Sequence, residues 1–278
     1  MLSAGESHGA WLGPAPETNA FEAVFMTEQQ VERHIRWDGL PAVVREIGGP
    51  VRAFRSFRGQ RNYPGWYWSS TTGRRVGFES WVERDHLVAL DFDPDVVDVL
   101  SQPFWLFWPD PQTGRRRRHA PDFLVRRRGD RWLVLDSRPF ELIGDRDREA
   151  FAAMSAAAAL VGWDYAVWDR LAPVVATNQR WLGGYRHPRC LNPGIARDLL
   201  EVFSTPQPLI SGAERVGDPL GTLPVLYHLI WRGWLVADLT AVLSHRTVVR
   251  CAPDLANMAE VAELVNELAA DELAAGAW

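Results

Sequence analysis

The chain contains no lysine; all 30 of its basic residues are arginine, against 35 acids. A phosphate-binding loop of the G-x-x-x-x-G-K-[ST] type is therefore excluded, and with it a P-loop ATPase. Cysteine is almost absent as well. Cys190 and Cys251 cannot build a disulfide framework or a zinc quartet, which predicts a reducing, cytoplasmic setting. No apolar run approaches the 18 residues of a membrane span. Residues 1–20 lack the basic and apolar regions of a signal peptide. No G-x-S-x-G supports a serine hydrolase. The net charge of −5 excludes a polycation that holds nucleic acid by bulk charge alone.

What is present is patterned. At 278 residues, 47% of them hydrophobic, the chain can bury one large core or two modest ones. Fourteen Trp supply rigid core pieces or stacking surfaces. Arginine clusters at Arg115–Arg118 and Arg126–Arg128, while residues 254–278 hold six acids and no base. Residues 1–20, rich in Gly, Pro, Ala and Ser, predict disorder. TEQQVERHIRW opens on a Thr cap signal and predicts a short helix. RAFRSFRGQRNYPGWYW alternates Arg with aromatics, as a strand or arm on a charged partner would. Ser80 and Glu83 form a capping box for a helix that Asp93-Pro94 stops. VVDVLSQPFWLFWP predicts strand, Gln-Pro break, strand. Ala120–Val125 and Trp132–Asp136 predict a hairpin turned at Gly129-Asp130. An Ala-rich helix follows from Asp147 to Val161, closed by Gly162, and then a strand at 163–169.

This order predicts an α/β domain over 21–177, with a mixed central sheet flanked by helices. NQRWLGGYRHPRCLNPG has turn chemistry and predicts a linker at 178–192. Three helices and a two-stranded hairpin over 193–252 suggest a winged-helix domain whose third helix is of the recognition type. An acidic amphipathic helix is expected at 253–278.

Metal-assisted phosphodiester hydrolysis needs several carboxylates at one point, holding Mg²⁺ or Mn²⁺. The hairpin offers two. Asp122 begins one strand and Asp136 ends its partner, so the two lie across from each other. Arg138, two residues on from Asp136, points to the same side. The preceding helix offers Glu79 or Glu83. The plain alternative is ordinary turn chemistry, since acids are common at strand ends. Asp91, Asp93 and Asp95 are expected to be such turn residues, and His187-Pro-Arg-Cys190 has zinc spacing without a partner pair. Beside a metal site, Arg115, Arg116, Arg117, Arg118, His119, Arg126, Arg127 and Arg128 would contact phosphates of double-stranded DNA.

The segments ESWVERDHLVALDFDPDV, SQPFWLFW, HAPDFLV and LVLDSRP together resemble the TnsA-like endonuclease subunits of heteromeric transposases. More broadly, they resemble the PD-(D/E)xK nuclease fold. The resemblance covers roughly half the chain, through residue 169, and implies a restriction-endonuclease-like core followed by a winged helix. It implies that Glu83, more than Glu79, is the helix glutamate and that Asp122 and Asp136 are metal ligands. The carbonyl of Ser137 would be a further ligand, and Arg138 stands where the family has lysine. It also implies DNA cleavage at transposon ends beside a partner transposase, with an ATPase regulator as a further contact. Arginine can offset charge and hold a phosphate oxygen in a fork, but it cannot accept a proton. A catalytically degenerate DNA-binding or assembly protein, or a stand-alone defence or repair nuclease, are the rival expectations.

Overall fold

The computed structural model describes residues 20–54, 63–110 and 112–253, and the chain divides into two compact units, 1–171 and 172–278. The expected disordered N-terminus and acidic C-terminal helix lie outside the described residues, as does much of the Arg-aromatic stretch. The fold is mixed α/β, with several mainly antiparallel sheets and seven α-helices among the described residues. No described helix is long and apolar enough to cross a membrane.

The first unit opens with β1 (Glu22–Thr27), β2 (Glu32–Arg36), α1 (Leu40–Val43) and β3 (Ile47–Gly49). A two-stranded hairpin, β4 (Gly65–Trp68) and β5 (Arg75–Phe78), precedes helix α2 (Trp81–Phe92). Strands β6 (Val96–Ser101), β7 (Trp105–Pro109), β8 (Arg116–His119), β9 (Phe123–Arg127) and β10 (Arg131–Ser137) follow. Helix α3 (Asp145–Leu160) then crosses to β11 (Asp164–Trp168). One sheet runs β2-β1-β7-β8 with β3 on the edge of β1; the other runs β11-β10-β9-β6. Among the described strands only the β10–β11 pair is parallel, and α3 makes the crossover that a parallel pair needs.

Residues 27–36 are not the expected helix. Thr27 Oγ1 accepts the Val31 amide at 3.2 Å, and the Gln30 amide closes on the Thr27 carbonyl. The hydroxyl thus tightens a turn, and Glu32–Arg36 pairs with β1 as a strand of alternating exposure. The remaining expected elements of this unit form within a few residues of their predicted ends. The Gly129-Asp130 turn needs positive φ at both residues (71° and 57°), which glycine adopts freely. Leu133, Val134, Leu135 and Asp136 are all buried, as a central strand requires.

In the second unit, α4 (Pro173–Leu182), α5 (Pro193–Val202), β12 (Gln207–Pro208), α6 (Leu209–Val216), α7 (Pro219–Trp231), β13 (Leu235–Ala237) and β14 (Val248–Cys251) form three packed helices, a fourth helix and a β12-β14-β13 sheet. The stretch 178–192 is therefore not a plain linker. Buried Asn178 on α4 donates to the carbonyls of Leu239 and Ala241 and accepts from the Leu243 amide. Helix α7 contains no arginine, and its second half is buried.

Candidate active site

The acidic site is built where α2, β9 and β10 converge. Leu135 pairs with Phe123, which sets Asp136 opposite Asp122. The Ser137 amide donates to Asp122 Oδ2 at 2.7 Å. Glu83 arrives from the first turn of α2, where Ser80 Oγ accepts the Glu83 amide at 3.2 Å. In return Glu83 accepts from the Glu79 amide at 2.6 Å and from Ser80 Oγ at 2.8 Å. Glu79 itself pairs with Arg52 at 2.7 Å.

Among the described residues the charges are only partly compensated, by Arg52. Burial pushes Glu83 up to about 7, against the opposing pull of its two hydrogen bonds. Burial raises Asp122 well above the carboxylate range, and Glu83 and then Asp136 push it further in the same direction. The Ser137 amide and Arg52 oppose that rise without reversing it. Three acids from three elements thus lie within electrostatic reach, with Asp122 in the middle.

Asp136 has other company. Tyr165 on β11 donates to its Oδ2 at 2.7 Å, and His119 Nε2 lies 3.0 Å from both its oxygens. The Tyr165 hydroxyl is raised well above its usual range, first by burial and then by Asp136. His119, expected at a phosphate, therefore stands inside the site as a partner of Asp136, with its ring edge-on to Phe151. Arg138 points to the start of α3, 3.0 Å from Asp147 and 3.3 Å from the Leu142 carbonyl.

The arginine clusters separate. Arg116 and Arg118 stack over Phe107 and Trp105, while Arg117 on the opposite face of β8 pairs with Asp110 and Glu149. Arg116 also pairs with Glu22, and Arg115 is exposed. Arg126, Arg127 and Arg128 sit four to six residues along from Asp122, roughly 13–20 Å away at the rise of a strand. They lie at the far end of β9, not beside the acids, and Arg128 donates to the Pro94 carbonyl.

Three residues of the site carried no catalytic expectation. Tyr165 is one. Gln102 is another: its amide donates to the Asp122 carbonyl at 2.8 Å, and its backbone is left-handed at φ 44°. Its own side-chain amide is buried and lacks a partner among the described residues. The third is His86, fully buried on α2 one turn after Glu83. The i, i+3 spacing of Glu83 and His86 was a usable signal, since it places both on one helix face.

Among the described residues, no three His, Cys, Asp or Glu side chains gather closely enough to hold a metal ion in the geometry seen. The donor chemistry at Asp122 and Glu83 nevertheless fits a hard divalent cation: oxygen ligands, Glu83 buried and Asp122 half-buried, and mutually repelling. A carboxylate has about four acceptor positions, and Glu83 uses two. Asp136 fits less directly because His119 and Tyr165 occupy it. No protein-family model matches the chain, and no curated protein matches it.

Proposed function

We propose that the first unit is a metal-dependent DNA endonuclease of the TnsA-like, PD-(D/E)xK type, acting at transposon ends with a partner transposase. The observation that carries this reading is the protonation-prone Asp122 carboxyl, hydrogen-bonded once among the described residues and flanked by Glu83 and Asp136. A fold gains nothing by burying unbalanced acids together; a divalent cation would balance them. Glu83 and Asp122 would hold Mg²⁺ or Mn²⁺, with Asp136 and the Ser137 carbonyl nearby. The ion would supply Lewis acidity toward a phosphodiester and a more acidic bound water. Glu83 and Asp122 orient by their hydrogen bonds to Ser80, Glu79 and Ser137. His119 and Tyr165 set the orientation of Asp136. In this reading Arg118 and Arg115 would meet DNA phosphates. Hydrolysis in this reading leaves a 5′-phosphate and a 3′-hydroxyl.

The β11-β10-β9-β6 sheet with α2 and α3 supports a restriction-endonuclease-like core. Helices α5–α7 with the β12-β14-β13 sheet support a winged helix. Because α7 is apolar and lacks arginine, that module suits a protein partner, the transposase or an ATPase regulator, better than DNA. The second reading, a degenerate nuclease fold kept for assembly, is favoured by one observation. Asp136 and Arg138 are both engaged by other side chains.

The deciding experiment incubates the protein and its transposase with duplex transposon ends and Mg²⁺ or Mn²⁺. Nicking by wild type that is lost in Asp122→Ala supports the endonuclease. Equal nicking by the two proteins, or none by wild type, sinks it.

A further inference from the structure

We propose that His86 is a positioning residue that sets the Asp122 carboxylate by acting through Ser137. The geometry is a relay across three elements. His86 Nε2 lies 2.8 Å from the Asp169 carbonyl just past β11, and His86 Nδ1 lies 2.8 Å from Ser137 Oγ at the end of β10. A carbonyl only accepts, so Nε2 carries the proton and donates to it. Nδ1 is then the bare nitrogen and accepts from the Ser137 hydroxyl. For a neutral imidazole, the direction of both hydrogen bonds follows from that one constraint.

The ring has little freedom to do otherwise. It is fully buried and stands edge-on to Trp168, their centroids 5.3 Å apart. Ser137 is thereby held at its hydroxyl by α2 and at its amide by Asp122, at 2.7 Å. Glu83 leaves the same helix one turn earlier. One imidazole therefore registers the Glu83 helix against the strand end that fixes Asp122, and ties both to the end of β11. A carboxylate whose neighbours repel it needs such an external restraint to stay in a single orientation. Partners of this kind around metal-binding carboxylates and histidines change affinity or activity about 10–100-fold when removed.

The consequence for catalysis rests on the endonuclease reading, whereas the relay itself does not, so two readouts are used. The variants are chosen by which hydrogen bond they can keep. His86→Asn retains an acceptor near Nδ1 and forfeits the Asp169 bond. His86→Gln retains a donor near Nε2 and forfeits the acceptor for Ser137. Ser137→Ala removes the donated hydroxyl with little change of volume, and it covers the case in which a His86 variant fails to fold.

Amide hydrogen exchange over 133–138 reads the relay without substrate. Faster exchange at Ser137 in His86→Gln and Ser137→Ala, with His86→Asn nearer wild type, is the expected result. Cleavage of transposon ends reads the function. The expected result is a fall in kcat of at least about tenfold at unchanged KM for DNA, and no further loss in the His86→Gln, Ser137→Ala double variant. Unchanged Ser137 exchange in both His86→Gln and Ser137→Ala overturns the relay. Wild-type kcat in Ser137→Ala, or additive losses in the double variant, overturns its role in catalysis. A wild-type protein that neither binds Mn²⁺ nor cuts overturns the endonuclease reading and that catalytic role with it, while the exchange measurement still decides the relay.

Discussion

Two carboxylates, the buried Asp91 and the half-buried Asp122, are held by the fold in opposite ways. Asp91, near the end of α2, accepts hydrogen bonds from Tyr67 and Ser69 hydroxyls at 2.8 and 2.7 Å. It also accepts from the amides of Ser70 and Thr71 at 3.0 and 2.8 Å, and from the Ser70 hydroxyl. Asp122 accepts one hydrogen bond and faces two other acids. The first carboxylate organises a loop and leaves nothing over. The second is held in place and, among the described residues, only partly balanced by Arg52, as the proposed metal site requires of a group whose partner comes from outside the fold.

The sharpest break between them is chemical. Asp122→Ala is expected to abolish Mn²⁺ binding and DNA cleavage while leaving thermal stability at or above that of wild type; calorimetry and a nicking assay check both halves. Asp91→Ala should do the reverse. It strands five donors and is expected to cost about 3–5 kcal/mol in denaturant unfolding, with Mn²⁺ affinity of the folded protein retained.

Proton binding at the acidic site comes next. The folded-state pKa of Glu83 is raised from 4.5 to about 7, so the native state binds its proton more tightly than the unfolded chain. Metal-free stability must then fall as pH rises from about 4.5 to 7, because the unfolded state releases that proton first. Asp122, raised for the same causes, adds to the slope. Melting temperatures measured in chelator across this window should decline, and Asp122→Asn should flatten the decline. Added Mg²⁺ should raise the melting temperature above pH 7, where the acids are charged. The smallest effect belongs to Arg138. Its exposed pairing with Asp147 is worth under about 1 kcal/mol, so Arg138→Ala should leave the unfolding midpoint nearly unchanged and Arg138→Lys should leave the cleavage rate unchanged.

Local physics was the legible part. The Ser80–Glu83 box, the Gly129-Asp130 turn and the placement of Asp122 across from Asp136 all follow from residues within about 15 positions of each other. The helix expected at 27–36 failed for a local reason as well. A Thr hydroxyl can close a turn as readily as cap a helix, and pairing with β1 decides between them. The arginine runs do not lie together beside the acids, because β8 alternates its faces and β9 carries Arg126 and Arg127 away from them. His86, Tyr165 and the Arg138–Asp147 pair needed packing. His86 meets Asp169 across 83 positions, and no spacing rule reaches that far. Asn178 was hidden in the same way, behind a Gly-Gly and His-Pro stretch that resembles a linker.

The tryptophans of the first unit have an optical consequence. Trp163, between α3 and β11, stacks at 5.8 Å and a 30° tilt on Trp132 of β10, and meets Trp37 edge-on at the same distance. Trp37 in turn donates its indole N–H to the Ala157 carbonyl of α3. Indoles this close couple their electronic transitions, so they should give a near-ultraviolet circular dichroism band that vanishes when the trio separates. That band would report the docking of α3 on the strand that carries Asp136, in a protein with neither dye nor substrate attached.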